Sequence, residues 1–532
     1  MKKRFTVFAT PFMNTQLHYK KLGYMAQMLF GLCLLSISHT LVAQLSKVGE
    51  VEYIKEYGKT KDFSMLPLKE KGALVVFDNA DTFGRNHHWE FYKIDSTLRE
   101  QWNTKYTPPE RLENLLTYYN NDFMYFFFAE SEAEDFVITR LNLQLGEVDE
   151  FRGKLVGLRT ISHFKVLGNS AYFAGSYFDK PVVISFAFFN STSKVLQGIY
   201  DKNITINSLE IDEIRNEVNV IINERRKGKC NMSVLSYSYN GDLLRTNRVP
   251  LADNEDVNFV SGRLLSISNN ETVLVGNYST NCSDYSRGLY LTHFNNGEQI
   301  GTKMIDFSGL SNFFDYLSPR KQQKLKEKIE KKKIEGKEPN FSYLLQVHDL
   351  VKTEKGVLLL AEVYYFSPNN NNTLGLYTNP PLTFAQLQRN RSRIGRYRYT
   401  HAIVCEFSKD GEILWDDAVS LGSLESSGLL EQVQISKYKG EWIATYLDKG
   451  KVNIQNLHNG KENSDKEEFE IKSDEESHRV DEEAAVSAWY DKYFLVWGTR
   501  HAPSKDNTMG SEILYVRKMA YAPLHSSTTS QK

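Results

Sequence analysis

The chain has 532 residues, 41% hydrophobic and 25% charged, with 32 Gly and 13 Pro, a composition that excludes collagen-like, disulfide-scaffold and wholly disordered classes. At about 150 residues per domain the length would hold three to four domains, unless the chain is one repeat architecture. Lys and Arg number 65 against 66 Asp and Glu, so bulk charge gives no reason to expect a nucleic-acid partner. Tyr (30) and Phe (31) are abundant while the mean hydropathy is -0.45, which suits many short half-buried strands better than helices.

Residues 1–43 hold Lys2, Lys3, Arg4, Lys20 and Lys21 and no acidic residue, then an apolar run from Met25 to Leu35 and Leu41-Val42-Ala43 before Gln44. This reads as a secretory signal peptide with a small residue at the cleavage point, and it predicts export to the periplasm, the outer surface or the medium. The run is interrupted by Gln27 and Ser36 and is short for a bilayer span, and no later segment approaches eighteen apolar residues. Without the leader, 60 basic residues face 66 acidic ones, a net charge of -6. Three cysteines then remain: Cys230, Cys282 and Cys405. One pair plus one buried thiol is the economical reading for an oxidising compartment.

Along residues 44–532 a short polar turn followed at once by a compact apolar strand recurs eight times. The turns are Lys71-Gly72, Asn121-Asp122, Asn169-Ser170, Asn216-Glu217, Asn270-Glu271, Lys355-Gly356, Gly440-Glu441 and Asp491-Lys492. Taking the second turn residue of each, the steps are 50, 48, 47, 54, 85, 85 and 51. Second turns such as Leu145-Gly146, Asn240-Gly241, Asn296-Gly297, Asp410-Gly411 and Asn459-Gly460 divide the units further. Four strands per unit of about fifty residues predict an all-β fold: one β-propeller of eight four-stranded blades, or seven if a terminal unit is incomplete. The last unit shows three clear strands ending at Ile513 to Met519. Val48 to Tyr57 is the expected source of its outer strand, which would remove an exposed sheet edge. A tandem of two β-sandwiches is the competing architecture, but it would not require the constant step.

Two charged insertions, at about 308–340 and 366–400, account for the long steps. Both fall on the rim that carries the second-to-third-strand loops and the blade-to-blade connections, here termed the top. In the first, Ser318-Pro319 starts and Gly336 stops a helix of about four turns, with Leu325 and Ile329 as a thin apolar stripe. Nine basic residues face three acidic ones from Arg320 to Lys337. Lys324, Lys328, Lys331, Lys332 and Lys333 are the candidate binding residues there. The second insertion supplies Arg389, Arg391, Arg393, Arg396 and Arg398, with Tyr397 and Tyr399 interleaved, a pattern that can grip carboxylate, sulfate or phosphate while stacking. The bland alternative is a solvated cap facing the acidic segment Glu462 to Glu483, which has eleven acidic and three basic residues. Cys230 and Cys282 fall in top-rim loops of adjacent blades four and five and form the disulfide candidate, with Cys405 a core thiol.

Motifs for chemistry are sparse. His87-His88 follows Asp78 and Asp81, but adjacent histidines on a strand point to opposite faces, so no metal site is expected. No Gly-x-Ser-x-Gly elbow, His-Glu-x-x-His or phosphate-binding glycine loop occurs, and no cofactor is expected. The six tryptophans are scattered and read as core. The stretch Phe407-Ser408-Lys409-Asp410-Gly411-Glu412-Ile413-Leu414-Trp415 resembles the Asp, Gly and Trp turn of quinoprotein-like propellers, of the WD-repeat-like kind, with Asn240-Gly241-Asp242-Leu243-Leu244 a fainter echo. The resemblance implies a propeller superfamily and no quinone cofactor, because the other blades depart from it at the tryptophan. The sequence therefore points to an exported, non-catalytic binding or scaffold propeller whose partner is an envelope protein or an anionic glycan. The alternative is a propeller enzyme, a glycan or peptide hydrolase or lyase, with its site at the central channel. A sensor domain is a third reading.

Overall fold

The computed structural model describes residues 44–56, 60–80, 87–109, 112–130, 134–155, 158–249, 257–337, 339, 341–368, 395–457, 466–471, 484–502 and 511–522. The signal-peptide reading, Asp81, and Arg389, Arg391 and Arg393 lie outside the described residues, as does the acidic stretch 472–483. The chain divides into a large unit, Lys47–Ala520, and a small one made of Met1–Ser46 and Tyr521–Lys532.

The large unit is a propeller of eight antiparallel sheets. The strands that open the eight blades are Thr60–Pro67, Glu113–Tyr119, Thr160–Leu167, Ile204–Asp212, Asn258–Ser266, Leu344–Val347, Gln434–Tyr438 and Ala485–Tyr490. Each is followed by the apolar strand that the marker turns announce, for example Phe123–Ala129, Ser170–Tyr177 and Glu441–Asp448, and these second strands are almost wholly buried. The fourth strands are the exposed outer edges, as the alternating Val148–Lys154 and the fully exposed Thr192–Val195 show. Blade eight is built in the order Ala485–Tyr490, Tyr493–Ala502, Ser511–Ala522, with Gln44–Glu56 as its outermost strand. The chain's first strand thus completes its last blade, and Glu50 pairs with Arg517 at 3.2 Å across that join.

A blade buries both faces only against its neighbours, so the core is a series of apolar seams. Leu74, Phe91, Phe126 and Phe128 fill the seam between blades one and two, and Phe127, Phe136, Phe173 and Phe186 that between two and three. Equivalent clusters follow between later pairs up to blades six and seven, and again between eight and one. Blades seven and eight are joined through polar groups as well: Gln434 Oε1 accepts from Ser487 Oγ at 2.7 Å and from the Ala488 amide at 3.0 Å. Trp489 Nε1 donates to the Gly72 carbonyl at 2.8 Å and ties blade eight to blade one. Trp89, Trp415, Trp442 and Trp489 are all at most 8% exposed, which is the core role expected of them. Trp415 Nε1 donates to Glu406 Oε2 at 2.6 Å inside blade six, so the tryptophan of the Asp, Gly and Trp turn serves packing.

The first insertion departs from a simple cap. Phe307, Phe313 and Phe314 enter the seam between blades five and six, and Asp416 of blade six accepts the amides of Ser311 and Asn312 at 3.0 and 2.7 Å. Helix α1, Pro319–Ile334, follows and presses Leu325 and Ile329 onto the same cluster. The second insertion is narrower than its sequence bounds, because Gly356–Pro368, Gly395–Ser408 and Ile413–Ser426 are long strands that extend blade six.

Candidate functional site

Two regions concentrate charge: the face of α1 and the strands that line the central channel. On α1 the cap is Ser318 with Pro319 in the first turn, and Lys331, Lys332 and Lys333 occupy the last turn, where cations complement the helix dipole. Lys324, Lys328, Lys331 and Lys333 are exposed and Lys332 is half-buried. Among the described residues none of the five has an ion-pair partner, whereas Lys337 pairs with Glu335 at 3.1 Å.

The aromatic and arginine part of the predicted lobe is differently disposed. Arg396 and Arg398 both reach Glu425 on the neighbouring strand, at 3.0 and 2.8 Å, so their charge is shared with one carboxylate. Tyr397 is half-buried and packs on Phe366 and Tyr364, with ring centroids 5.2 and 5.8 Å away. Tyr399 is fully buried: its hydroxyl donates to the Leu430 carbonyl at 2.8 Å and accepts from the Leu430 amide at 2.9 Å. It anchors the connection between blades six and seven.

The channel holds the residues that sequence reasoning missed. Arg263 on the first strand of blade five reaches Glu210 of blade four at 3.0 Å and Asp349 of blade six at 3.6 Å. Burial disfavours its charge, but those two carboxylates outweigh it and raise the guanidinium above its ordinary value. Lys165 of blade three stands over the Tyr118 ring of blade two at 5.2 Å. Burial, aided by Arg263 and Lys165, depresses His163 to about 4, so it is neutral, with Nδ1 2.8 Å from Ser162 Oγ. His348 sits between Glu362, 3.1 Å from Nε2, and Glu431, 3.7 Å from Nδ1. Burial works against the imidazolium, yet the contact with Glu362 and the charge of Glu431 raise its pKa. Glu362 is completely buried and also accepts the amides of Gln432 and Val433 at 2.7 Å each. The available signal was a charge set between apolar neighbours in a blade's first strand, as Lys165 between Phe164 and Val166 and Glu210 between Leu209 and Ile211.

Cys230 and Cys282 are joined in a disulfide, Cα to Cα 5.3 Å, linking blades four and five, and Cys405 is buried. His87 and His88 open the third strand of blade one, where they sit in adjacent register positions, and His88 Nδ1 lies 3.0 Å from Thr107 Oγ1. Among the described residues no group of three His, Cys, Asp or Glu side chains is arranged to hold a metal ion. No described helix is long and apolar enough to cross a membrane.

Among known proteins, no family model matches the chain and no curated protein matches it in sequence. Solved structures that align with the chain do so at low similarity. The Dos1 propeller is 10% identical with a TM-score of 0.39 over 90% of this chain and 95% of its own. The polysaccharide lyase Uly1 is 8% identical with a TM-score of 0.37 over 86% and 99%. A prolyl endopeptidase is 8% identical with a TM-score of 0.35 over 78% of this chain and 51% of its own. Identities this low speak to the fold alone.

Proposed function

We propose that this propeller is an exported, non-catalytic scaffold that docks an acidic partner, an envelope protein or an anionic glycan, on the lysine face of α1. The observation that carries the reading is the unpaired set Lys324, Lys328, Lys331, Lys332 and Lys333 on a helix fixed to the core by Leu325 and Ile329. A helix crowded with unpaired lysines self-repels, and an acidic surface would relieve that repulsion while steering the encounter. The disulfide between Cys230 and Cys282 supports the export reading, because such bonds persist in oxidising compartments. The test is retention on immobilised heparin as a polyanion probe. Wild-type protein is expected to bind and to elute with salt, and Lys324→Glu, Lys328→Glu, Lys331→Glu and Lys333→Glu combined are expected to abolish retention; equal retention of both proteins removes the lysine face from the account.

A second reading, a hydrolase or lyase with its site in the channel, is favoured by His348, which Glu362 orients from behind while Glu431 faces it from the other side.

A further inference from the structure

The rim opposite α1 carries the first-to-second and third-to-fourth turns, and there two seams, between blades three and four and between five and six, share one device. The glycine of one blade's third-to-fourth turn sits on the outer strand of the blade before it. Gly241 of blade four lies over Leu196 and Lys194, and Gly411 of blade six over Leu291 and Lys303. In both seams the lysine then pairs with the acidic residue that follows the glycine: Lys194 with Asp242 at 2.6 Å, and Lys303 with Glu412.

The seam between blades four and five has the same parts and breaks the pattern. Gly297, at φ +82°, lies over Arg245, and Glu298 follows it. Arg245 does not cross to Glu298. It turns back within its own blade and gives both terminal nitrogens to Glu217, at 2.8 and 2.5 Å. Glu298 is left exposed, with no ion pair among the described residues. This seam holds a cleft of about 410 Å³, lined by Arg215, Arg245, Glu217, Asn269 and Asn296.

Its floor offers unused donors. Arg215 Nε donates to the Asn269 carbonyl at 2.8 Å, while Arg215 Nη2 and Arg245 Nε are buried and have no hydrogen-bond partner. A buried guanidinium N–H without an acceptor is destabilising, so two at one cavity call for an acceptor that enters it. A side chain at position 297 would place its Cβ 3.4 Å from Arg245 Nε, so glycine lets this turn pack directly against the guanidinium that lines the cleft. Asn269 and Asn296 add neutral polar groups at the mouth.

We infer that the cleft between blades four and five binds a small ligand through an oxyanion, a carboxylate or a phosphate, held by Arg215 Nη2 and Arg245 Nε with Asn269 and Asn296 around its polar body. Guanidinium donors suit oxyanion geometry, and charge-assisted bonds in a half-enclosed site are the stronger kind. The site is independent of α1 and of the channel.

Isothermal titration of the full chain with glucuronate, with inorganic phosphate and with uncharged glucose tests it. Saturable binding of glucuronate, phosphate or both, weakened by salt and absent with glucose, is expected, and which anion binds assigns carboxylate or phosphate. Arg245→Lys places in this seam the residue type that the two paired seams carry and should swing to Glu298 and close the cleft. It and Arg215→Gln should each lose at least about tenfold in affinity, the scale of one good hydrogen bond. Lys303→Ala, in a paired seam, should bind as wild type does. Asn269→Trp fills the mouth from an exposed position and gives a check that does not touch either buried arginine. No saturable binding of either anion, or unchanged affinity in Arg245→Lys, Arg215→Gln and Asn269→Trp, overturns the inference.

Discussion

At the scale of single residues, Glu362 shows why buried charge sits where it does. Its Oε1 accepts two amides from the chain entering blade seven and meets His348, so one carboxylate fixes a connection that has no strand of its own. Glu362→Ala leaves two buried N–H groups unsatisfied and should cost at least about 2 kcal/mol in urea unfolding, whereas Glu362→Gln keeps an acceptor and should cost clearly less. Equal losses would show that the amides do not depend on this side chain. Neither the role of Glu362 nor that of His348 was legible in the sequence. Both lie within blade six, the most irregular unit, where the marker step is stretched to 85. The tyrosines Tyr397 and Tyr399 misled in the opposite sense: alternation with arginines suggested a stacking surface, but a long strand of blade six turns Tyr399 into the core.

At the scale of elements, the first insertion is an integral part of a seam, and a histidine sits at the joint. His401 of blade six is fully buried, stacks on Tyr316 with centroids 3.9 Å apart and meets Phe313 edge-on at 4.9 Å. Burial depresses it from 6.5 to about 3, and it depresses His163 to about 4. Both are therefore neutral when folded, while the unfolded chain takes up protons below pH 6.5. Their contribution is complete above that pH and is lost as pH falls toward the folded values, each adding a slope of up to about 1.4 kcal/mol per pH unit. His348 has the opposite sign, since its raised pKa favours the folded state at lower pH and that gain is lost as pH rises through its folded value. Because two depressed groups oppose one raised group, the unfolding midpoint should fall between pH 6.5 and 4.5, and His401→Phe should flatten that fall. A midpoint independent of pH, or a slope unchanged by His401→Phe, contradicts this. The helix itself was legible from Ser318, Pro319 and Gly336, and the phenylalanines that precede it were not, because nothing local distinguishes an aromatic in a loop from one filling a distant seam.

At the scale of the whole molecule, the repeat was legible because every blade needs the same buried second strand directly after a tight turn. All eight marker turns precede such a strand. Closure was legible too: the last unit lacked an outer strand, and the strand 44–56 supplies it. Deleting residues 47–56 removes Glu50 and Glu52, the partners of Arg517 and Arg500, and exposes the edge of Ser511–Ala522. The truncated protein should melt lower and form oligomers in light scattering, and a monomer of unchanged melting temperature would show that the outer strand is dispensable. What the period could not reveal is the seam between blades four and five: its sequence carries the same glycine and acid, with Arg245 where the paired seams have a lysine, and that exchange alone does not tell which way the arginine turns.

The central claim is that the unpaired lysines of α1 dock an acidic partner. It is tested most directly by affinity capture from gently solubilised envelope, with quantitative mass spectrometry of wild-type protein beside the combined Lys324→Glu, Lys328→Glu, Lys331→Glu and Lys333→Glu variant. The account predicts an acidic partner recovered in stoichiometric amount with wild type and lost with the variant. Recovery of the same partner in equal amount with both proteins would contradict it.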